Sequence, residues 1–346
     1  MQERLRTVLM LILLAGQSMW LPTAMAQEGA RDGPVRQWLK ERMIERRQSA
    51  PAPTTANEVR PRIDRPGDYD FAIVHDGRLR KFRVHLPASY QRDHPAPMLL
   101  SFHGGGGDMN YQASDTNYGQ ISASEKHGFV AVFPNGFSRF DSGKFATWNA
   151  GKCCAGARDE NVDDVGFVRR ILTEVTGQLN IDKARIYASG MSNGGMMTYR
   201  LACEMSDVFK GIASVAGTDN TISCAPKAAI SVLHIHARND DHVLFDGGAG
   251  AGLRDASKVT DFRSVPSTIS RWVEFNGCSR TPRRVLDRPG AYCDRYDGCR
   301  DGVRVQLCVT ETGAHSWPGG TKTRGSESTS KAISANDVMW DFFSRP

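Results

Sequence analysis

Short apolar runs separated by longer segments of helical character dominate the chain downstream of residue 96. The clearest runs cover residues 97–102, 129–133, 184–188 and 230–235. Each run is continuously apolar rather than alternating, which is typical of strands that are buried on both faces. Strands that alternate with helices predict an α/β fold with a mostly parallel central sheet and helices on both faces. The segment 334–343 has apolar residues at helical spacing and predicts a closing helix.

The pattern before residue 97 is different. Residues 71–74 and 80–86 are strand-like and flank His75-Asp76-Gly77, whose Asp-Gly step is typical of a hairpin. Residues 27–65 are polar and rich in arginine, which predicts a mobile leader or linker. We therefore expect one catalytic domain over residues 66–346 and no second folded domain.

The first 26 residues have the pattern of a secretory signal peptide. Arg4 and Arg6 precede an apolar run at 7–16, and Ala24-Met25-Ala26 supplies small residues for cleavage. The apolar run is too short to span a bilayer, so we expect no membrane anchor. The mature chain is expected to begin near Gln27 and to be periplasmic or extracellular.

The cysteines and the charge narrow the class of protein. No Cys-x-x-Cys pair is present, which favours disulfides of an exported protein over a zinc site. We favour Cys203 with Cys224, and pairs within the cluster Cys278, Cys293, Cys299 and Cys308, although sequence leaves the connectivity open. The net charge is +6, but residues 1–65 hold eleven basic and seven acidic residues. The remaining charge is too small to predict nucleic-acid binding, and no obligate protein partner is implied.

The candidate nucleophile is Ser192, in Gly190-Met191-Ser192-Asn193-Gly194. This G-x-S-x-G motif follows a predicted strand and precedes a helix-like segment, which is the setting of a nucleophile elbow. Glycines are needed there because Cβ atoms two residues either side of the serine would collide in so sharp a turn. The alternative is a glycine-rich turn with an incidental serine.

The segment Gly104–Gly107 follows His103 at the end of the predicted strand 97–102. Such a loop lets backbone N–H groups approach a substrate oxygen, so Gly104 and Gly105 are candidate oxyanion-hole residues, with Asn193 as the second donor. A phosphate-binding loop would need a Gly-Lys-Ser/Thr sequence, which is absent.

The base and the acid should follow the nucleophile in the order acid, then histidine. His315 lies in a glycine-flanked loop after a late strand and is the candidate base. Asp240, Asp241 and Asp246 follow the strand at 230–235, and we favour Asp240 as the acid, with Asp241 next.

A metal-dependent hydrolase and a non-catalytic binding module are the rival hypotheses. A metal site could be drawn from a cluster of five residues: His234, His236, Asp240, Asp241 and His242. Buried histidines satisfied by protein partners are the commoner outcome, so we predict no metal and no cofactor. The presence of both Ser192 and His315 argues against a module that has lost its activity.

Five motifs together resemble the polyhydroxybutyrate depolymerase family of esterases, which is related to carbohydrate esterase family 1 and to feruloyl esterases. The motifs are the glycine loop after His103, residues 148–154, residues 162–167, residues 188–195 and residues 315–319. The resemblance implies an α/β-hydrolase fold, the same three catalytic residues, a signal peptide, disulfides and no cofactor. Two departures from the family pattern concern the acid assignment and the flexibility of the histidine loop. The family's His-Gly-Thr-x-Asp is His-Ala-Arg-Asn-Asp at 236–240, and its Gly-Gly-Gly-His is Thr-Gly-Ala-His at 312–315.

The substrate is the least determined part of the prediction. We expect Trp148 and Trp317, with His103, to contact substrate, the alternative for the tryptophans being core packing. Asp163 and Asp164 are expected to be structural. The resemblance favours polyhydroxyalkanoate or other aliphatic polyesters, with feruloyl or acetyl esters of plant cell-wall polysaccharides as the alternative. The chain ends soon after His315, leaving no room for a polymer-binding domain, which favours amorphous or oligomeric polyester over crystalline material.

Overall fold

The computed structural model describes residues 53–253, 261–321 and 328–344, together with Trp38 and Arg42. The predicted signal peptide and most of the predicted leader lie outside the described residues. Ala52–Pro346 is one compact unit.

Ten strands form a single sheet in the order β1-β2-β4-β3-β5-β6-β7-β10-β9-β8. In chain order the strands are β1 Gly67–His75, β2 Arg78–Leu86, β3 Ala96–Phe102, β4 Val130–Pro134, β5 Ile181–Met191, β6 Gly211–Val215, β7 Ser231–Ala237, β8 Arg283–Arg288, β9 Ala291–Tyr296 and β10 Val305–Thr310. Neighbours from β4 through β10 in the centre of the sheet are parallel. The pairs β1-β2, β2-β4, β10-β9 and β9-β8 are antiparallel.

Seven α-helices are present among the described residues. They are α1 Met109–Ala113, α2 Gln120–His127, α3 Ala155–Asp159, α4 Asp164–Gln178, α5 Asn193–Glu204, α6 Val265–Asn276 and α7 Ala335–Ser344. Apolar residues of α4, α5 and α6 belong to one buried cluster, and those of α1, α2 and α7 to another. Along β3, Met98 and Leu100 join the first cluster while Leu99 joins the second. Helices therefore cover both faces of the sheet, as the continuous apolar runs predict.

The predicted strands and the closing helix are present, but the sequence pattern did not reveal β6, β8 or β9. β6 is a five-residue run of small apolar residues. β8 has the sequence RRVLDR with no buried residue, so it carries almost no hydrophobic signal. A strand at the edge of a sheet needs little burial, which explains why an apolar pattern misses it.

The boundary expected at residue 66 lies too late in the chain. Val59 pairs with Ala72 of β1 through two backbone hydrogen bonds of 2.8 and 2.9 Å. The Ile63 side chain is buried in the core, and Arg60 donates to Glu174 of α4. The last part of the predicted linker is therefore packed onto the catalytic fold.

All eight cysteines are paired. Cys203 pairs with Cys224, as favoured from sequence, and the late cluster pairs as Cys278–Cys299 and Cys293–Cys308. Cys293 and Cys308 are register partners on β9 and β10, so that pair ties the missed hairpin to the parallel sheet. The adjacent residues Cys153 and Cys154 form a pair that was not predicted. No helix in the described ranges is long and apolar enough to cross a membrane.

Candidate active site

The predicted site residues lie at one edge of the sheet because each follows a parallel strand. Gly104 and Gly105 come after β3, Ser192 after β5, Asp240 after β7 and His315 after β10. The carboxyl ends of parallel strands meet at the same edge, which is where α/β proteins bind ligands. The fold therefore collects residues that are up to 211 positions apart in the chain.

Ser192 occupies a sharp turn between β5 and α5. Its backbone has φ 55° and ψ −121°, and a positive φ is costly for a residue with a Cβ. The turn is held by the Ser192 N–H, which donates to the Val215 carbonyl at 2.8 Å, and by the Ser192 carbonyl, which accepts from Met196. A Cβ on Gly194 would collide with the carbonyl oxygens of Phe102 and His103. The elbow thus depends on glycine at the position that the motif specifies.

Three backbone N–H groups near Ser192 are candidates for an oxyanion hole. Within the described part of the chain, the N–H groups of Gly104, Gly105 and Asn193 have no hydrogen-bond acceptor, whereas Gly106 donates to Ala146. A Cβ placed on Gly104 would lie 3.5 Å from the Cβ of Ser192, and a Cβ placed on Gly105 would lie 3.5 Å from the Cβ of Asn193. Both glycines are therefore next to the elbow. Unpaired donors next to the serine are the arrangement that stabilises a developing oxyanion.

Hydrogen bonds from the chain at 148 hold this loop and the elbow together. The Asn193 amide accepts from the Trp148 N–H at 2.8 Å and donates to the Trp148 carbonyl at 3.1 Å. The Trp148 indole donates to the His103 carbonyl at 3.0 Å. Trp148 is fully buried and packs edge-on against Phe102. Its predicted contact with substrate is therefore wrong, and the alternative of core packing holds.

His103 is also a structural residue rather than a substrate contact. It is fully buried, with Nδ1 2.8 Å from the Gly104 carbonyl and Nε2 accepting from the Gly136 N–H at 2.9 Å. Burial lowers its pKa to about 4. A neutral ring with both nitrogens occupied cannot offer a group to substrate, so the predicted contact is corrected.

His315 and Asp240 form a close pair at the edge of the sheet. Nδ1 of His315 donates to the Asp240 carboxylate at 2.9 and 3.1 Å. Asp240 also accepts the backbone N–H groups of His242 and Val243, both at 2.9 Å. Nε2 of His315 has no partner among the described residues, and 12% of its side chain is exposed. Asp240 thus holds Nδ1 of the ring and leaves Nε2 free to accept a proton.

The charge state of Asp240 follows from its surroundings. Burial raises the pKa of this carboxyl group, but the positive charge of His315 and hydrogen bonds from His236 and His315 outweigh burial, and the pKa lies well below its usual range. Asp240 is therefore ionised at neutral pH. Its competitor Asp241 instead bonds its neighbour His242 at 2.7 Å.

Only some residues of the proposed metal cluster have ligand atoms that could bind an ion. Of the proposed cluster, His234 and His236 have both ring nitrogens in contact with protein atoms. Asp240, His242 and His315 lie close enough to share an ion, within 4.8 Å of one another. The donors of that trio include the paired Asp240 and His315, and the His242 ring stacks on His315 at 4.6 Å. The absence of a metal stays a prediction.

Trp317 and the two aspartates at 163–164 complete the predicted residues. Trp317 is 2% exposed and packs edge-on against Tyr118 at 5.2 Å, so its predicted contact with substrate is corrected to core packing. Asp163 caps α4 by accepting from Gly166. Asp164 is buried, pairs with Arg80 and accepts the Asn149 N–H at 2.8 Å. Both aspartates are therefore structural, as expected.

Sequence reasoning missed Asn239 as a residue of the site. Its side-chain oxygen accepts the N–H of Ala314 at 3.0 Å, which joins the loop after β7 to the loop that carries His315. The residue falls inside the stretch that departs from the family pattern, and that departure was the available signal.

Comparisons with known proteins agree with this geometry. The model of the prolyl oligopeptidase family matches residues 121–229, which include the elbow. Feruloyl esterase B of Piromyces equi is 29% identical over 244 residues, covering 68% of this chain and 42% of that protein. A putative esterase, NocK, of Nocardia uniformis subsp. tsuyamanensis is 29% identical over 317 residues, covering 86% of this chain and 85% of its own. The chain has the α/β-hydrolase fold, and both of these curated relatives are named as esterases.

The fold also occurs in a solved structure. An acetyl xylan esterase from Aspergillus awamori superposes with a TM-score of 0.50 at 12% identity, covering 77% of this chain and 94% of that one. The likeness supports the α/β-hydrolase fold alone. The chain spans 42% of the length of feruloyl esterase B, so its activity and its substrate are matters for proposal.

Proposed function

We propose that this protein is an exported esterase that hydrolyses aromatic acyl esters of the feruloyl type on polysaccharides. In this proposal Ser192 is the nucleophile, His315 the base and Asp240 the acid. The observation that carries the proposal is the His315–Asp240 pair, whose unpaired Nε2 lies at the same sheet edge as Ser192 and the free N–H groups. The signal-like start and the disulfides support export.

The reaction proceeds through an acyl-enzyme. His315 Nε2 takes the proton of the Ser192 hydroxyl while that oxygen attacks the ester carbonyl. The negative charge that forms on the carbonyl oxygen is stabilised by the N–H groups of Gly104 or Gly105 and of Asn193. Protonated His315, held by ionised Asp240, then gives its proton to the sugar oxygen as the bond between that oxygen and the acyl carbon breaks, and the sugar leaves with a free hydroxyl.

The second half of the cycle repeats these steps with water. His315 accepts a proton from water, which attacks the acyl carbon, and the oxygen of Ser192 leaves with the returned proton. The free acid and the unmodified enzyme are the products, so no cofactor is consumed. The positive dipole end of α5, which begins at Asn193, favours the charge in both halves.

Two exposed aromatic side chains support an aryl or sugar group as the substrate. Phe140 is 48% and Phe145 65% exposed, and their ring centroids are 5.8 Å apart. Ala146, next to Phe145, bridges to Gly107 of the oxyanion loop. Flat aromatic surfaces at the rim of a site suit planar acyl groups and sugar rings.

The polyester prediction from the family resemblance remains a second candidate for the assay. The polyester prediction is supported by the five sequence motifs, whereas the feruloyl proposal is supported by the 29% identity to feruloyl esterase B. One experiment separates the candidates. Wild type and Ser192→Ala are incubated with methyl ferulate, acetylated xylan and emulsified poly(3-hydroxybutyrate), and the released acids are quantified.

We expect wild type to release ferulate and Ser192→Ala to release none above the uncatalysed rate. Release of hydroxybutyrate alone would show that the enzyme is a polyester depolymerase. Release of acetate alone would show that it hydrolyses acetyl esters instead of aromatic acyl esters. Equal activity of the Ser192→Ala variant on any substrate would contradict the nucleophile assignment.

A further inference from the structure

Beneath the catalytic acid lies a line of three buried polar side chains that the mechanism above does not use. The Tyr199 hydroxyl of α5 is 2.7 Å from Nδ1 of His234 on β7. Nε2 of His234 is 3.0 Å from Nδ1 of His236, and their rings are parallel within 7°. Nε2 of His236 is 2.8 Å from the Val243 carbonyl and 3.3 Å from the carboxylate of Asp240.

The acceptors at the end of the line fix the hydrogen nearest the catalytic acid. The Val243 carbonyl and ionised Asp240 only accept hydrogen bonds, so Nε2 of His236 carries a hydrogen. A hydrogen bond joins Nδ1 of His236 to Nε2 of His234, and another joins Nδ1 of His234 to the Tyr199 hydroxyl. The line therefore ends on a donor that faces the catalytic carboxylate.

Burial keeps Tyr199 and His234 neutral. Burial, with His236 nearby, lowers the pKa of His234 well below its usual range, and burial raises the pKa of Tyr199. No atom of these three residues is among the unpaired buried atoms of the described chain. A fully satisfied buried network of this kind holds its members in one arrangement.

The line also holds the turn on which the acid sits. Val243 donates its N–H to Asp240 Oδ1 at 2.9 Å and its carbonyl accepts from His236 at 2.8 Å. Both backbone groups of Val243 are thus held, the N–H by the acid and the carbonyl by the histidine beneath it. Moving His236 would release its contacts with the Val243 carbonyl and with Asp240 together.

We propose that Tyr199, His234 and His236 form a hydrogen-bond line that positions Asp240 and tunes the proton affinity of the Asp240–His315 pair. All three are positioning residues, because they act through Asp240 and touch no substrate. The inference rests on the proposed function, since it needs His315 as the base.

The expected signature is a change in pH dependence as well as in rate. The His236 N–H places a positive dipole end beside Asp240, which opposes protonation of the coupled Asp240–His315 pair. Without it the pair takes up its proton at a higher pH, so the acid limb of kcat/KM moves up. Other charged or titratable groups facing the pair are His242, bonded to Asp241 in the same loop, and Asp219, which acts on Tyr199 from the loop after β6.

The test compares His236→Leu, which removes the donor, with His236→Gln, whose amide retains a donor near the position of Nε2. Tyr199→Phe removes only the hydroxyl at the far end of the line. Tyr187→Phe is the matched control, because its buried hydroxyl donates to the Phe343 carbonyl at 3.2 Å, away from the site. The readouts are kcat, KM and the pH profile of kcat/KM on an aryl ester.

We expect His236→Leu to lose about 10- to 100-fold in kcat, as for a hydrogen bond to a charged group, with KM nearly unchanged and the acid limb at higher pH. His236→Gln should recover most of the rate and the wild-type limb. Tyr199→Phe should shift the limb in the same direction by less, and Tyr187→Phe should not shift it.

A wild-type acid limb in both His236→Leu and Tyr199→Phe would overturn the proposal, as would an equal shift in Tyr187→Phe. If His236→Leu does not fold, the isosteric Tyr199→Phe decides between these outcomes. Retained activity of Ser192→Ala would instead overturn the proposed function, so the two failures are distinguishable.

Discussion

The two halves of the candidate site are built by different physical means. The nucleophile half, the loop at Gly104 and the turn at Ser192, is shaped by backbone N–H groups and by backbone contacts that leave no space for a Cβ at Gly190 and Gly194. The acid–base half, from Asp240 to His315, is shaped by side-chain hydrogen bonds between segments 75 residues apart. The first half constrains which residues can be present, and the second constrains how the residues present are oriented.

This difference predicts different failures. A substitution that adds atoms to the nucleophile half should prevent the elbow from forming, because carbonyl groups cannot move aside. A substitution in the acid–base half should leave the fold intact and change rate or pH dependence, because only a hydrogen bond is lost.

The largest expected effect is that of Gly194→Ala. Its new Cβ would collide with the backbone of β3, so we expect the variant to lose more than about 4 kcal/mol of unfolding free energy or to fail to fold. The matched control is Gly177→Ala on α4, where nothing lies within 4 Å. That control should gain about 0.5–1 kcal/mol. Urea unfolding of both variants checks this, and a wild-type midpoint for Gly194→Ala would break the comparison.

Asp240→Asn should have the next largest effect, on activity alone. An amide in place of the carboxylate can hold the wrong tautomer of His315 and cannot stabilise its positive charge, so kcat should fall by about 10⁴-fold. The control Asp241→Asn should remain within a few-fold of wild type. Steady-state kinetics on an aryl ester at neutral pH decide it, and the reverse ranking would make Asp241 the acid.

His103 provides a prediction on stability against pH. Its pKa is lowered from 6.5 to about 4 by burial, so between these values the unfolded chain binds a proton that the folded chain does not. Stability therefore falls as pH decreases from 6.5 to 4, by about 3 kcal/mol from this residue. The difference in unfolding free energy between wild type and His103→Gln should shrink by that amount from pH 7 to pH 4. A constant difference would mean that the ring is protonated in the folded state.

The smallest expected effect is that of Asn193→Ala. The backbone N–H for the oxyanion stays, but the two hydrogen bonds to the Trp148 backbone are lost. The buried Trp148 N–H is left unpaired, whereas its carbonyl keeps the hydrogen bond from the Cys154 N–H. We expect a loss of about 2 kcal/mol in stability and about tenfold in kcat as the hole loosens. Urea unfolding and kinetics check it, and unchanged kcat would show that the side chain plays no part in shaping the hole.

The sequence predicts the nucleophile half well because steric demands appear as residue types at fixed spacing. Gly190, Ser192 and Gly194 can be identified without knowing any partner. For the acid–base half the sequence predicts only a set of candidate residues, because no local feature distinguishes Asp240 from Asp241. That choice depends on which carboxylate the fold turns towards His315.

The contacts that the sequence did not reveal have a common cause. Trp148, Trp317 and His103 flank motif residues, but their burial depends on packing that chain position does not encode. Tyr199 and His234 are 35 residues apart and meet only when α5 packs on β7. Long-range side-chain partners of this kind leave no period in the sequence.

The central claim is that Ser192 is the nucleophile activated by the His315–Asp240 pair. Incubation with an aryl fluorophosphonate, followed by intact-mass and peptide mass spectrometry, tests it most directly. We predict one phosphonyl group on the peptide that contains Ser192, no labelling of Ser192→Ala, and much slower labelling of Asp240→Asn. Labelling of Ser192→Ala at the wild-type rate, or of another residue in the wild type, would contradict the account.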